Sequence, residues 1–542
     1  MTTTTARPSA PSSPAEIGRA LTRLITRQIR RGTLLVAAAA TGITALVAAQ
    51  YQVTFAGALD TDAMRALAEN PAVRVLFGPA RGLDNPGGFT VWRTGAPVSI
   101  LCGVWALLAA TRITRGEEDA GRYDLLAGTR ARLTDLTARA AATLTLAAAL
   151  IAAGVAAALI VTGTDTTGAL VHATSVFATT TLFAALGLLT AQLLPAREVA
   201  TGTATAILGI FLMLRMLSDG ISALTWTAWL TPFGLTNRAA AYVDNQATPL
   251  LVLLAMTGAI LAGALAAAHH RDLGGALLTL TDTRPARTRL LHSLPAFAIR
   301  RATAPTTGWA IGIGAYFLLI GAVLAAILDF LADNPRFAEL AATAGFAGLN
   351  NPEGFAAAMF SLLTIPTGLY AATRISAMAA DETNGRSTTL HSLAISRTRL
   401  AGTETAVTAA GTAALLATAA TTMWAGATLT GAPLDPTDAL AGAFNTAPLA
   451  LLSLGAAVLA LGWYPTAVAA IGALPVAGGF LLNVLTQSSN TPSWTREISP
   501  YAHLAAVPDT PPDYTATTIL TAISVTLIGL GLYGYTRRDL HN

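Results

Sequence analysis

"RGEEDAGRYD", residues 115–124, puts six charged side chains into ten positions of a chain whose charged content is 11%. "AADETNGRST", residues 379–388, repeats the arrangement at an offset of 264: an acidic pair, two residues, then Gly-Arg. What surrounds these clusters, and why there are two of them, decides the fold.

The surroundings are apolar. The chain has 542 residues, 53% of them hydrophobic, and a mean hydropathy of +0.56. A soluble protein carries roughly a quarter charged residues, so this composition belongs to a membrane protein. A helix needs about 20 apolar residues to cross the hydrocarbon core. That ruler predicts spans at 33–52, 95–113, 139–162, 169–193, 199–218 and 248–268, then at 307–330, 354–376, 403–426, 440–462, 464–486 and 516–535. The expected fold class is an all-α polytopic membrane protein of about twelve transmembrane helices. Residues 1–13 are polar and low in complexity, and read as a disordered tail, not a cleaved leader. The single Cys102 allows no intrachain disulfide.

All positive charge on side chains other than histidine is arginine, because the sequence contains no lysine. Arg19, Arg23, Arg27, Arg30 and Arg31 precede the first span, and Arg112, Arg115, Arg122, Arg130 and Arg132 follow the second. Arg271, Arg284, Arg287, Arg289, Arg300 and Arg301 lie between the sixth and seventh. The positive-inside rule then puts both termini and both charged clusters on the cytoplasmic side, and explains the net charge of +4 without nucleic acid.

The clusters are two members of a colinear series. "IRR" (29–31) returns at 299–301, Asn70-Pro71 at Asn334-Pro335, "NPGGF" (85–89) as "NPEGF" (351–355), and "TRI" (111–113) at 373–375. Trp226 with "TPF" (231–233) matches Trp494 with "SPY" (499–501), and "RDL" closes both halves at 271–273 and 538–540. Self-similarity at one offset marks a duplicated unit. Six spans per half bring both halves into the membrane in the same direction, so the repeat is parallel. Halves at 14–273 and 289–542, joined by a cytoplasmic linker at 274–288, are expected to surround a substrate path on a pseudo-two-fold axis.

Within each cluster Glu precedes Arg by four, Glu118 with Arg122 and Glu382 with Arg386, the favourable helical order. Gly121 and Gly385 would let another backbone approach. Each half thus presents a short charged knob to the cytosol, suited to docking. The segment 14–32 has Ile17, Leu21, Leu24, Ile25 and Ile29 at helical spacing among arginines, and reads as an interfacial amphipathic helix. Its echo at 289–301 is interrupted by Pro295. A P-loop requires lysine, so any ATP hydrolysis belongs to a separate subunit.

These residues resemble the ABC-2-type permeases of bacterial exporters, and in particular the fused twelve-helix permeases of polyketide-antibiotic or tetronasin exporters from high-GC bacteria. The most specific stretch is "EEDAGRYDLLAGTR" (117–130), echoed as "DETNGRSTTLHSLAISR" (381–397). Asp381 replaces the first Glu there, and His391 and Ser392 stand where the first copy has Ala127 and Gly128. The resemblance implies a type V (ABC-2-like) exporter fold, with a coupling helix between the second and third spans of each half seated on an ABC ATPase, two copies per chain. It implies an ATPase-coupling role for Glu117, Glu118, Gly121 and Arg122, and for Asp381, Glu382, Gly385 and Arg386. It also implies outer re-entrant helices in 219–247 and 487–515, and an exit gate shaped by the "NPGGF" and "NPEGF" loops. ATP and Mg would sit on the partner, with no cofactor on this chain, and the cargo would be hydrophobic or amphiphilic drugs.

Two rivals share some of these features. An ion-coupled secondary transporter needs an ionisable group inside the membrane; Arg215 and Asp219 are expected to pair at the outer end of the fifth span, and Glu404 lies at the inner start of the ninth. An enzyme would need more than His269 and His270, which sit at a juxtamembrane end, or the isolated His172. Neither a metalloprotease helix nor a nucleophile elbow is present. Export of lipid-like molecules is the nearest variant of the exporter reading. Phe211, Met213 and Met216 on the fifth span are candidates for an apolar substrate path.

Overall fold

The computed structural model describes residues 14–51, 74–75, 78–123, 132–278, 288, 290–333, 351–383, 385, 392, 394–487 and 493–538. Among these, twelve helices are long and apolar enough to cross a membrane. The protein is an all-α polytopic membrane protein, and it divides into two compact units, Met1–Thr283 and Arg284–Asn542. The tail at 1–13, the Asn70-Pro71 and Asn334-Pro335 pairs and much of the linker lie outside the described residues.

Two expectations about helix starts are corrected. The first helix runs unbroken from Pro14 to Gln50, about 55 Å at 1.5 Å per residue. A hydrocarbon core is ~30 Å thick, so the arginine-rich turns are a straight extension of the span and form no separate interfacial helix. Leu21, Ile25 and Ile29 are buried on one face of that extension, while Arg19, Arg23, Arg27, Arg30 and Arg31 are exposed. The seventh span starts at Leu294 and continues to Asp333. Pro295 therefore sits in its first turn, where an amide N–H has no intrahelical acceptor anyway, and it interrupts nothing.

Several repeated motifs turn out to be helix starts. Asn85 caps the second span by accepting from Gly88 N–H at 2.6 Å, and Asn351 caps the eighth by accepting from Gly354 N–H at 2.5 Å. The proline that follows each occupies the first helical position. "TPF" and "SPY" use the same device on the short elements between the last two spans of each unit. Thr231 Oγ1 accepts from Gly234 N–H at 2.8 Å, and Ser499 Oγ accepts from Tyr501 N–H at 3.3 Å while donating to the Gly479 carbonyl at 2.8 Å. The aromatic that follows is the anchor: Phe233 packs on Phe183 at 5.7 Å and Tyr501 on Phe480 at 5.7 Å. Trp226 and Trp494 stay exposed, as aromatic side chains at a membrane–water boundary do.

The neighbour pattern is the same in both units. In the first unit, span one packs on span three, two on four and four on six; in the second, seven packs on nine, eight on ten and ten on twelve. The second unit departs in detail. Its tenth span is broken at Thr446 into Pro436–Asn445 and Ala447–Trp463. Its eleventh holds a π turn at Leu474–Gly478, where Pro475 can neither donate to nor fit an ordinary α-turn.

Lipid tails are as apolar as leucine, so close packing of backbones, not burial, joins such helices. The seven–nine crossing shows the requirement: a Cβ on Gly426 would collide with the Leu318 carbonyl, and one on Gly321 with that of Met423. A Cβ on Gly402, in the same ninth span, would meet nothing within 4 Å. Gly426→Ala is therefore expected to destabilise the protein by roughly 1–3 kcal/mol, and Gly402→Ala to leave it unchanged or slightly firmer. Thermal unfolding midpoints of the two variants in one detergent check this, and equal midpoints would contradict the crossing.

Candidate functional site

Each charged cluster follows the second span of its unit, and each is built around a glycine. After the second span, Pro86–Ile113, a five-residue helix covers Arg115–Asp119. Gly121 has φ +69°, its N–H donates to the Glu118 carbonyl at 2.8 Å, and the Arg122 N–H donates to that of Glu117 at 3.0 Å. This left-handed closure is a helix stop that glycine accepts without strain.

The stop changes which charges meet. A helix continuing to Arg122 would pair it with Glu118. Because the chain reverses at Gly121, Arg122 swings back over the first turn and grips Glu117 with two hydrogen bonds, at 2.6 and 2.7 Å. The expected Glu118–Arg122 pair is thus replaced by Glu117–Arg122. The Arg122 guanidinium is held above its usual range, chiefly by this bond.

Glu118 turns inward. Its carboxylate accepts from Arg271 at 3.0 and 2.7 Å, from Arg115 at 3.3 Å and from the Gly274 N–H at 2.6 Å. The side chains of Arg271 and Glu118 are 2% and 5% exposed. Arg271 also donates to Gln192 and to the Gly275 carbonyl. Arg115 donates to the Pro195 and Gly275 carbonyls and pairs with Asp119, which in turn accepts from the Arg197 N–H at 2.7 Å. Tyr123 closes the inner side by donating to the Ile113 carbonyl at 2.9 Å. Burial first, then the carboxylates of Glu117 and Glu118, push its phenol above the ordinary tyrosine value against the opposing pull of Arg271. In this arrangement the acidic pair anchors the turn from inside, and Asp119, Ala120, Gly121 and Arg122 are what the turn exposes.

The second unit repeats the anchor. Glu382, near the end of the eighth span, pairs with Arg538, so the second acid again meets the arginine of the closing "RDL". Gly385 has φ +70° and donates to the Glu382 carbonyl at 3.0 Å. Asp381 pairs with Arg301, which also reaches Glu404 at 3.1 Å. Glu404 is held from its other side by Arg374 at 3.0 Å. Arg386 lies outside the described residues.

Other candidates are placed plainly. Phe211 packs toward Phe183 at 6.4 Å, Met216 is buried, and Phe211 and Met213 are half-buried. Arg215 and Asp219 pair at 2.7 Å as expected, and Asp219 also accepts from Asn237 at 3.0 Å. His172 is buried beside Gly95, and His269 and His270 stay exposed. Arg271, Arg538, Arg115, Arg301 and Arg374 escaped the sequence reading as site residues. "RDL" and "TRI" were visible as repeated words, and their recurrence at the offset of the acidic pairs is the signal that could have joined them.

Comparison with known proteins comes down on the same side of the enzyme-or-carrier question. Residues 291–536 match the family profile described as "Multidrug efflux system permease Rv1217c, C-terminal domain". The multidrug efflux system permease protein Rv1217c of Mycobacterium tuberculosis (strain ATCC 25618 / H37Rv) is 28% identical across 88% of this chain and 86% of its own length. That likeness favours a transport subunit over an enzyme.

Removing one partner of a buried ion pair leaves the other charge uncompensated, at a cost of about 3–5 kcal/mol, whereas removing both charges costs far less. Glu118→Gln and Arg271→Gln are each expected to lower the thermal midpoint of the purified chain strongly. The double variant should recover most of the loss, and the Glu382 and Arg538 set should behave alike. Additive losses in either double variant would show that the pair is not a unit.

Proposed function

We propose that this chain is the permease subunit of an ATP-driven exporter that moves hydrophobic or amphiphilic compounds, drugs among them, out of a bacterial cell. The carrying observation is the duplicated turn. Two separate units each end their second span at a glycine turn fixed from behind by a Glu–Arg pair, fully buried in the first unit and partly buried in the second, a surface suited to being pushed or gripped. Arginine bias puts both turns on the cytoplasmic side with both termini, the side where ATP is. The relative from Mycobacterium tuberculosis, by its name a multidrug efflux permease, supports the cargo class.

In this reading the ATPase is a separate subunit, because a chain without lysine cannot form a P-loop. Two copies of it, one per turn, carry ATP and Mg. The coupling surface in the first unit is Gly121 and Arg122 with Glu117 behind them; Glu118 positions that surface from inside. Glu382 has the same role in the second unit, with Gly385 at the surface and Arg386 beside it in sequence. The halves are read as a parallel repeat in a type V (ABC-2-like) fold that works by alternating access.

An ion-coupled carrier is the second reading, and one observation bears on it: Glu404 is an acid inside the ninth span. Its carboxylate is bonded to two guanidiniums, which leaves little of it for a passing cation, so the ATP-driven reading is preferred.

Purification in mild detergent from the native membrane should bring down an ATPase with Walker motifs at about two per chain. Arg122→Gln should weaken its retention about tenfold, ~1.4 kcal/mol, and should lower the thermal midpoint of the chain less than Glu118→Gln does. An empty preparation under several detergents would sink the exporter reading, and unchanged retention in the variant would sink the docking role of the first turn.

A further inference from the structure

The two units keep their buried charge in different places. In the first, the turn is tied to the loop before the fifth span and to the end of the sixth, through Pro195, Arg197, Arg271, Gly274 and Gly275. The bundle beside it is apolar. Ala140, in the third span, is buried at the position matching Glu404, seven residues into its helix in both cases. Arg112, the counterpart of Arg374 in the repeated "TRI", is exposed and donates to the Gln28 carbonyl at 2.8 Å.

The second unit replaces this with a continuous ionic chain. Asp381 at the turn bonds Arg301 of the seventh span, Arg301 bonds Glu404 of the ninth, and Glu404 bonds Arg374 of the eighth. Glu404 and Arg374 have side chains 4% and 6% exposed. At 1.5 Å per residue they lie roughly 10 and 14 Å inward from the ends of their helices. Charges this fully buried are costly, and the first unit builds the same neighbour pattern with alanine there. The fold therefore does not require the pair.

We infer that Glu404 is a positioning residue that carries displacement of the second turn into the seventh, eighth and ninth spans, while the first turn acts on the fifth and sixth. One guanidinium serves two carboxylates. When the turn draws Asp381 away, Arg301 follows it and Glu404 is left to Arg374, so the three spans are re-aimed by a small movement at the surface. The two halves of the transporter are then driven unequally by equivalent ATPase subunits. This rests on the exporter reading above.

The test uses the complete complex with its ATPase, in a Cys102→Ala background carrying a bimane fluorophore on one introduced cysteine. Leu429→Cys reports the ninth span and Ile210→Cys the fifth; both positions are exposed. ATP with vanadate should shift the emission of both labels in the otherwise native chain. Glu404→Gln should abolish the shift at position 429 and keep it at 210, Glu404→Asp should restore it, and Asp381→Asn should give the same loss, no greater when combined with Glu404→Gln. Shifts kept at both positions, or lost at both, overturn the inference; the latter would mean that Glu404 only holds the fold. A complex that binds its ATPase yet shifts at neither position in the native chain overturns it as well. Failure to recover any ATPase instead removes the exporter reading itself.

Discussion

The pairing of a turn carboxylate with an arginine at the far end of the same unit, Glu118 with Arg271 and Glu382 with Arg538, is the constraint on which the arginine-rich ends depend. It joins the second span of a unit to its last, across 153 and 156 residues. Beside it, Arg115 and Asp119 tie the loop to Pro195 and Arg197 in the first unit, and Asp381 ties it to Arg301 in the second. With it, the loop is rooted to the span that closes the bundle. Such a pair contributes little net stability compared with an apolar substitute, but breaking it strands a charge. That asymmetry favours a definite geometry over a merely stable one.

The same constraint explains why charge in this protein comes in clusters. A membrane chain can place ionisable groups where water reaches them or where each finds a partner. Arg19, Arg23 and Arg27 take the first course on the exposed face of the first helix. Arg115, Arg271, Glu118, Arg374 and Glu404 take the second, and their partners are other members of the same small set. Carbonyls at loop ends, those of Pro195 and Gly275, accept further bonds from the Arg115 guanidinium.

Much of the fold was legible because it rests on composition and period. All twelve spans follow from hydropathy, with starts misplaced by several turns where helices such as Pro14–Gln50 and Leu294–Asp333 extend beyond the apolar stretch. The repeated words were visible too, and several of them mark caps and anchors. The partners of the acids were not. Sequence spacing describes what can meet along one helix, and it favoured Glu118 with Arg122; a single left-handed glycine cancelled that geometry and released Glu118 to a residue 153 positions away. No local pattern encodes such a meeting. Colinear recurrence does, weakly: an acid and an arginine that return together at nearly one offset are candidates for each other.

Duplication also shows which parts are free to differ. Both units keep the glycine stop, the inward acid and the closing arginine. They differ one layer deeper, where Ala140 and Glu404 occupy matching places and Arg112 and Arg374 point to different surroundings. The second arrangement balances two carboxylates, Asp381 and Glu404, against two guanidiniums, Arg301 and Arg374; Arg31, Arg112 and Glu117 already stand at the matching places of the first unit, so Glu404 is the one member it adds. A buried acid that one unit holds with two arginines, and that the matching unit replaces with alanine, is better explained by what it transmits than by what it stabilises. The surface turn is common to both halves; the route by which its motion enters the membrane is where they part.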